Sequence, residues 1–381
     1  MDWYGPNKDL IGEPGSRDRL GTPALVVDVD MLDKNIKTMA NYARTHNFAL
    51  RPCLKIHKSI EIARRQVAAG AIGLCCATLA EAECLVSAGI SSPLIFSPIV
   101  TPGKLARLTQ LNAMADDLVV VTDSVHHVED LAAVARDSGA TLSVLVDYEM
   151  GAGRTGVPRA KDAVALAHRV AGTPGLIFAG LQGYNGAVTA NPSFAGRRKE
   201  YLAHTTELAE IVGELASDGL APRIVSGGGT GTHDIDAHLG VFTELQVGTY
   251  IFMDVFFDNL QLRDDGARPF ETALSVYATV ISTASDGFVI TDVGAKEIDG
   301  YHSQPDPVIL SGAPPGSRYS LVGDDLGRID LPEGFLRPKV GDTVRLMPPR
   351  AWEVVPFYTI FHCVSGTELV DIWPIDASAT W

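Results

Sequence analysis

Apolar residues recur along this chain in two rhythms, and the change between them falls near residue 265. From Pro23 onward, short β-branched runs alternate with longer stretches whose apolar positions return every three to four residues. The runs are PALVVDVD (23–30), ALRPCLK (49–55), GLCCAT (73–78), PLIFSP (93–98), DLVVVTD (117–123), TLSVLVDYE (141–149), LIFAGLQGY (176–184) and RIVSGGGT (223–230). Runs this apolar suit strands buried on both faces. The segments between them, such as SIEIARRQVAAG and LAEAECLVSAG, hold good helix formers, and the second stops at Gly89, as helices commonly do. Eight strand-then-helix units predict an α/β fold with a closed, TIM-like (β/α)8 barrel. A doubly wound open sheet would give a similar alternation.

Past residue 265 the rhythm shortens. ALSVYATVIST, GFVITDVG, DTVRLMPP, FYTIFHCVSG and ELVDIWPI are separated by Gly, Pro and Asp with no helical pattern between them, which predicts a smaller all-β domain. The first twenty residues are loop-like and are expected to pack against it. The expected division is a barrel over 21–262 and a β domain built from 1–20 and 263–381.

Composition narrows the partners. The chain has 381 residues, 46% of them hydrophobic and 20% charged, enough to bury a large core. Its 46 acidic against 31 basic residues leave a formal charge of −15, which repels a polyphosphate backbone and argues against nucleic acid. No apolar run reaches the roughly 18 residues of a membrane span, and no basic-then-apolar leader opens the chain, so no membrane association is expected. The five cysteines are odd in number and form no CxxC pair, as in a cytoplasmic protein.

Against this acidic background, RPCLKIHKS (51–59) gathers Arg51, Lys55, His57 and Lys58. In a barrel, reactive groups stand at the C-terminal ends of the strands. Those ends carry Lys55, Thr78, Arg154 (in GAGR after Asp147), Gln182 with Tyr184, and SGGGTGT from Ser226 to Thr232. Consecutive glycines after a strand let main-chain N–H groups converge, and a threonine hydroxyl adds a donor, which suits a terminal phosphate. The stretch has neither the GK[ST] ending nor the GxGxxG order of nucleotide sites; a tight turn needing glycine would also explain it. A lysine desolvated at an apolar strand end is a better nucleophile, and cationic neighbours such as Arg51, His57 and Lys58 would add to this. Lys58 also reads as a solvated helix-start residue. Lysine, phosphate cradle and barrel together suggest pyridoxal phosphate held as a Schiff base.

The stretches RPCLKIHKSIEIARRQVAAGA, DYEMGAGRTGV, GLQGYNG, SGGGTGT and GVFTELQVGTYIFMD resemble, in order and spacing, the D-threonine aldolase and D-serine dehydratase family of pyridoxal phosphate enzymes, of alanine-racemase-like fold. The resemblance runs from about Gly21 to Pro374. It implies a homodimer acting on a small D-configured β-hydroxy amino acid, with the cofactor covalent on Lys55. It further implies Gln182 beside the pyridine nitrogen, Tyr184 and Arg154 lining the cofactor, and Gly228, Gly229, Thr230 and Tyr250 around its phosphate. A neutral Gln182 would not hold the ring nitrogen protonated, so more would rest on groups around the substrate.

One departure stands out. The family holds a divalent metal with a histidine and, two positions later, an Asp or Cys; here those positions are Arg350 and Trp352. Neither side chain offers a lone pair. Leu326 and Cys53 also stand where histidine is common in the family. His362 and Cys363 are adjacent on a strand and face opposite ways, a poor chelate. No divalent metal is therefore expected. Arg350 is expected either to bind the substrate carboxylate or polarise a β-oxygen, or simply to pair with an acid of the β domain; Trp352 is expected to narrow the pocket. His57 completes the expected catalytic set with Lys55 and Arg350, while His233 and His238 read as part of a loop. The expected activity is a metal-independent retro-aldol cleavage to glycine and an aldehyde. Racemase or epimerase, transaldolase, D-serine-type dehydratase and non-catalytic pyridoxal phosphate carrier are the alternatives.

Overall fold

A computed structural model describes residues 4–299 and 305–378. Its first strand, β1 (Ala24–Asp28), ends where the Asp28 carboxylate accepts the Met31 N–H at 3.2 Å and so caps α1 (Val29–Thr45), satisfying a donor that the first helical turn leaves free. α1 buries Leu32, Ile36, Met39 and Ala43, the spacing of one helix face. Strands and helices then alternate: β2 (Ala49–Leu50), α2 (Ile60–Ala68), β3 (Leu74–Cys76), α3 (Leu79–Ser87), β4 (Pro93–Ile95), α4 (Pro102–Met114), β5 (Val119–Thr122) and α5 (Val125–Ser138). β6 (Leu142–Tyr148), α6 (Ala160–Ala171), β7 (Leu176–Gly183), α7 (Phe194–Ser217), β8 (Ile224–Gly227), α8 (His233–Leu239) and β9 (Glu244–Leu245) complete the series.

β2 to β9 form one parallel sheet in the order β2-β9-β8-β7-β6-β5-β4-β3. Its two ends meet: Cys53 bridges Cys75, and the N–H groups of Ile72 and Cys75 donate to Leu50 (2.9 Å) and Pro52 (2.8 Å). The result is the expected (β/α)8 barrel. Every residue of β3, β4, β5 and β6 is buried, because one face fills the barrel interior and the other meets the helices.

The membership of the barrel differs from expectation at one strand. β1 lies in the second sheet, and β9 supplies the eighth barrel strand. β1 runs antiparallel to β10 (Leu274–Ser282), with Leu25 opposite Val276, and parallel to β16 (Ile360–Ser365), with Val26 opposite His362. Flanked on both edges and buried over its first four residues, it is as apolar as a barrel strand. β9 escaped notice because it is two residues long and one of them is Glu244.

The second sheet also holds β11 (Phe288–Thr291), β12 (Val308–Ser311), β13 (Arg318–Leu321), β14 (Gly327–Asp330), β15 (Thr343–Met347) and β17 (Glu368–Pro374). The main path runs β13-β14-β11-β10-β1-β16-β17, and β15 ties β12 to β10. Burial alternates along β11 and β14, as in a sheet with one covered face. The short α-helices α9 (Val255–Asp258), α10 (Ala295–Ile298) and α11 (Ala351–Val354) interrupt this part of the chain. The N-terminal segment meets β17 and the turn before it: the N–H groups of Gly12 and Arg17 donate to Leu369 (2.8 Å) and Thr367 (3.1 Å), and Ser16 Oγ accepts from the Leu369 N–H (2.7 Å). No helix among the described residues is long and apolar enough to cross a membrane.

Candidate active site

Lys55 sits in a single 3₁₀ turn, Leu54–Ile56, at the C-terminal side of β2. The N–H of Cys53 donates to Val247 at 2.9 Å and anchors the start of that turn. Lys55 lines two adjoining cavities, of about 280 and 70 Å³, and Ile56, Tyr184, Gly229, Thr230, Thr249 and Phe257 line both with it. Its Nζ lies 5.9 Å from the centroid of Phe96.

The positive surroundings read from the sequence are not there. Arg51 is buried against Glu244 at 2.8 Å, each side chain 3% exposed. Lys58, expected in solvent, is buried: its Nζ reaches Glu81 at 2.8 Å and the Ala377 carbonyl at 3.2 Å, from a left-handed backbone (φ 53°). His57 is fully buried between the Ser59 N–H and Gln66, and lines neither cavity. Burial pushes its imidazole down to about 3, so it stays neutral. The proposed catalytic part for His57 is corrected accordingly.

The glycine-rich turn after β8 meets Lys55 across the larger cavity. Gly228 adopts φ 63°, and a Cβ there would fall 2.4 Å from Asp236 Oδ2, so this position requires glycine. Thr230 Oγ1 accepts from the N–H groups of Gly248 (3.3 Å) and Tyr250 (3.0 Å), which leaves the hydroxyl proton to donate elsewhere. Among the described residues, nothing accepts from the N–H groups of Thr230 and Gly231. A Cβ on Gly229 would come no nearer than 3.5 Å to the Tyr184 ring. A cradle of open donors facing a lysine fits a small phosphorylated aldehyde. Pyridoxal phosphate would be held by Lys55 at one end and by Gly229, Thr230, Gly231 and Thr249 at the other.

Other expected residues fall differently. Tyr184 lines both cavities; the Arg154 guanidinium lies 4.9 Å from its ring centroid, and burial pushes its phenol up. Thr78 is instead the cap of α3, its hydroxyl accepting the Glu81 N–H at 3.2 Å, and it lines neither cavity. Tyr250 contributes its main chain alone, for its hydroxyl accepts from Gln66 at 3.0 Å and its side chain lines neither cavity. Gln182 lies below the floor: its amide donates to Asp147 (2.9 Å) and Phe96 O (3.2 Å), and its oxygen accepts from Gln246 at 3.1 Å. Gln246 is the amide that lines the smaller cavity, and it also donates to Ser226 at 3.0 Å. Asp147, buried under Gln182, is pushed up to about 6 by desolvation. Gln246, Gly248 and Thr249 were missed although GVFTELQVGTYIFMD was singled out; a side chain's direction after a two-residue strand has no periodic signature.

The β domain supplies the remaining wall. Arg350 precedes α11 and lines the larger cavity with Trp352, Phe256 and Phe257. Its guanidinium lies 4.1 Å from the Phe256 centroid and 5.1 Å from that of Trp352, with Glu353 at 3.7 Å. Asp254 braces this wall, accepting from the N–H groups of Phe257 and Ala351, each at 2.9 Å. Among the described residues, no three His, Cys, Asp or Glu side chains converge on a point that could hold a metal ion. His362 is spent on Asn7 (2.9 Å) and the Leu25 carbonyl (3.3 Å), while His233 and His238 belong to α8 instead of a loop.

Comparison with known proteins agrees with this geometry. Residues 27–255 match the model of the alanine racemase N-terminal domain, and residues 273–363 match a putative serine dehydratase domain. The chain is 36% identical to a D-threonine aldolase from Arthrobacter sp over 94% of its length and 93% of that protein. It is 32% identical to the 3-hydroxy-D-aspartate aldolase of Paracoccus denitrificans over 98% and 96%. The crystal structure of D-threonine aldolase from Filomicrobium marinum superposes with a TM-score of 0.89 at 34% identity, covering 94% of this chain and 96% of that one. A lysine and a glycine-rich turn with open N–H groups share one barrel mouth here, and this chain belongs to the alanine-racemase-like family of pyridoxal phosphate enzymes, close to the D-threonine aldolases, as a lyase of the aldolase and dehydratase type.

Proposed function

We propose that this chain cleaves D-configured β-hydroxy-α-amino acids by a retro-aldol reaction, with Arg350 serving where relatives are expected to use a metal. The observation that carries this reading is that Lys55 from the barrel and Arg350 from the β domain line the same cavity. When bound, pyridoxal phosphate supplies an electron-poor ring that accepts the pair released from the Cα–Cβ bond. The protein's own groups do the rest. Arg350 can hold the substrate carboxylate with its planar, cationic fork. Trp352, Phe256 and Phe257 form an apolar wall around it, which lowers the local dielectric and strengthens that contact.

As the Cα–Cβ bond breaks, the β-hydroxyl must lose its proton for the aldehyde carbonyl to form, and Cα must gain one to leave as glycine. Lys55 Nζ, which lines the cavity, can take the first proton and deliver it to Cα, while the Tyr184 phenol, pushed up by burial, keeps its proton and can donate a hydrogen bond. Arg350 and Trp352 offer no metal a lone pair, which supports a route without one.

The test is Arg350→Ala assayed on D-threonine and D-phenylserine, with and without chelator. Turnover should drop on the order of 100-fold, the usual cost of removing a charge-stabilising donor, while the cofactor's visible absorbance persists and wild-type turnover ignores the chelator. Unchanged turnover would remove Arg350 from the reaction. The match of residues 273–363 to a dehydratase domain favours a second reading, β-elimination, which would show as keto acid and ammonia in place of aldehyde and glycine.

A further inference from the structure

Arg197 lies in the first turn of α7 and is 0% exposed. Its Nε donates to the Gly231 carbonyl at 2.7 Å, and its terminal nitrogens donate to the carbonyls of Asn191 (2.9 Å), Pro192 (3.3 Å) and Gln261. The ring of Phe194, 6.0 Å away, is its other neighbour of note. Among the described residues it has no carboxylate partner. This is an expensive placement. A buried charge ordinarily needs a counter-charge, and the positive end of a helix disfavours a cation in its first turn; α7 has no acidic residue there. Burial accordingly pushes the guanidinium below its usual range.

Gly231, whose carbonyl takes the Arg197 Nε, belongs to the turn that lines the larger cavity. Behind the same turn the His233 Nδ1–H donates to the Thr230 carbonyl at 2.8 Å. That peptide's N–H, on Gly231, has no acceptor among the described residues. Donors on the carbonyl side polarise a peptide and strengthen its N–H as a donor. The peptide that Arg197 itself holds ends in the Thr232 N–H, which donates to Gly229 O at 3.1 Å, so the open Gly231 N–H is sharpened by His233, while Arg197 adds positive charge behind the turn, where the Thr232 hydroxyl also meets the Asp236 carboxyl at 2.7 Å.

We propose that Arg197 is the buried counter-charge of an anionic phosphate bound on the cavity side of the 228–232 turn, acting by its charge across the turn, whose Gly231 carbonyl it holds, as a positioning residue without touching the ligand. The inference rests on the reading that pyridoxal phosphate occupies this cavity. It gives the turn a positive charge that its own sequence lacks, and it explains why an overall acidic chain can hold a dianion there.

The experiment compares ligands that differ by the phosphate alone. Full-length protein stripped of cofactor is titrated with pyridoxal phosphate, with pyridoxal and with inorganic phosphate. Wild type should prefer pyridoxal phosphate to pyridoxal and should be stabilised by inorganic phosphate. Arg197→Gln should shrink that preference at least about 10-fold (about 1.4 kcal/mol), abolish the response to inorganic phosphate, and leave pyridoxal affinity within about 2-fold. Arg197→Lys, which keeps the charge but cannot span the carbonyls, should retain most of the preference. An equal loss for both aldehydes in R197Q would mean that the guanidinium merely fastens the loops, and an unchanged preference would also overturn the inference. If R197Q does not fold, R197K decides: a lost preference with pyridoxal affinity intact refutes the charge role. A wild-type protein indifferent to the phosphate would instead sink the cofactor reading itself.

Discussion

Replacing Glu81 with alanine should be among the most damaging single changes outside the cavity. One Glu81 oxygen holds the Lys58 ammonium at 2.8 Å and the other accepts the Ala77 N–H at 2.7 Å, with the carboxylate side chain 1% and the lysine side chain 9% exposed. Without it, Lys58 keeps the Ala377 carbonyl, at 3.2 Å, and no counter-charge. Stranding one partner of a buried pair costs about 3–5 kcal/mol. Orphaning the part-buried Ala77 N–H costs at most about 1–3 kcal/mol, and the two overlap because they share one side chain, so about 4 kcal/mol is expected. That is a large part of the roughly 5–15 kcal/mol that separates a folded domain from its unfolded state. Urea denaturation of the full chain reads it directly. The double variant Lys58→Met with Glu81→Leu supplies the control: an apolar pair of similar volume strands no charge and should lose only the share of the orphaned Ala77 N–H, about 1–3 kcal/mol. A loss under about 1 kcal/mol for Glu81→Ala would show that Lys58 finds water, and the reading of a desolvated pair would fail.

Thr78→Ala should cost about 1 kcal/mol of stability, the worth of a helix cap, and leave pyridoxal phosphate affinity unchanged; weaker cofactor binding would return Thr78 to the site. Asp236, fully buried behind the glycine-rich turn with the Thr232 hydroxyl donating to it at 2.7 Å, is pushed up to about 7 by desolvation. A folded-state value above the unfolded one means that the stability it contributes is fully present below about pH 4 and is lost as pH rises through about 7. The swing is roughly 4 kcal/mol. Asp236→Asn should therefore lose less stability than wild type between pH 5 and pH 8 in parallel urea titrations, and matching slopes would refute the assignment.

Much of this architecture was legible in the sequence because strands of a parallel barrel are buried on both faces and read as unbroken apolar runs. The same property misplaced β1: a strand flanked by β10 and β16 is just as apolar, and periodicity does not say which sheet a strand joins. Lys55 and the turn around Gly228 were visible because a lysine in an apolar run and a glycine cluster are rare local patterns. The base-rich stretch around Lys55 misled for the opposite reason. Glu81 is 23 residues from Lys58 and Glu244 is 193 from Arg51, so local reading saw the cations and not the acids that cancel them. Gln246 and Arg197 were invisible: one follows a two-residue strand, and the other looks like any solvated arginine on a long helix.

The position of β1 also orders events during synthesis. Leu25 is met by His362, 337 residues further along the chain, so the ribosome must add and release those residues before β1 acquires its second edge. The barrel can close while the nascent chain is still emerging, but the sheet that carries Arg350 to the mouth cannot. Vectorial folding would thus assemble the phosphate cradle first and admit the arginine last.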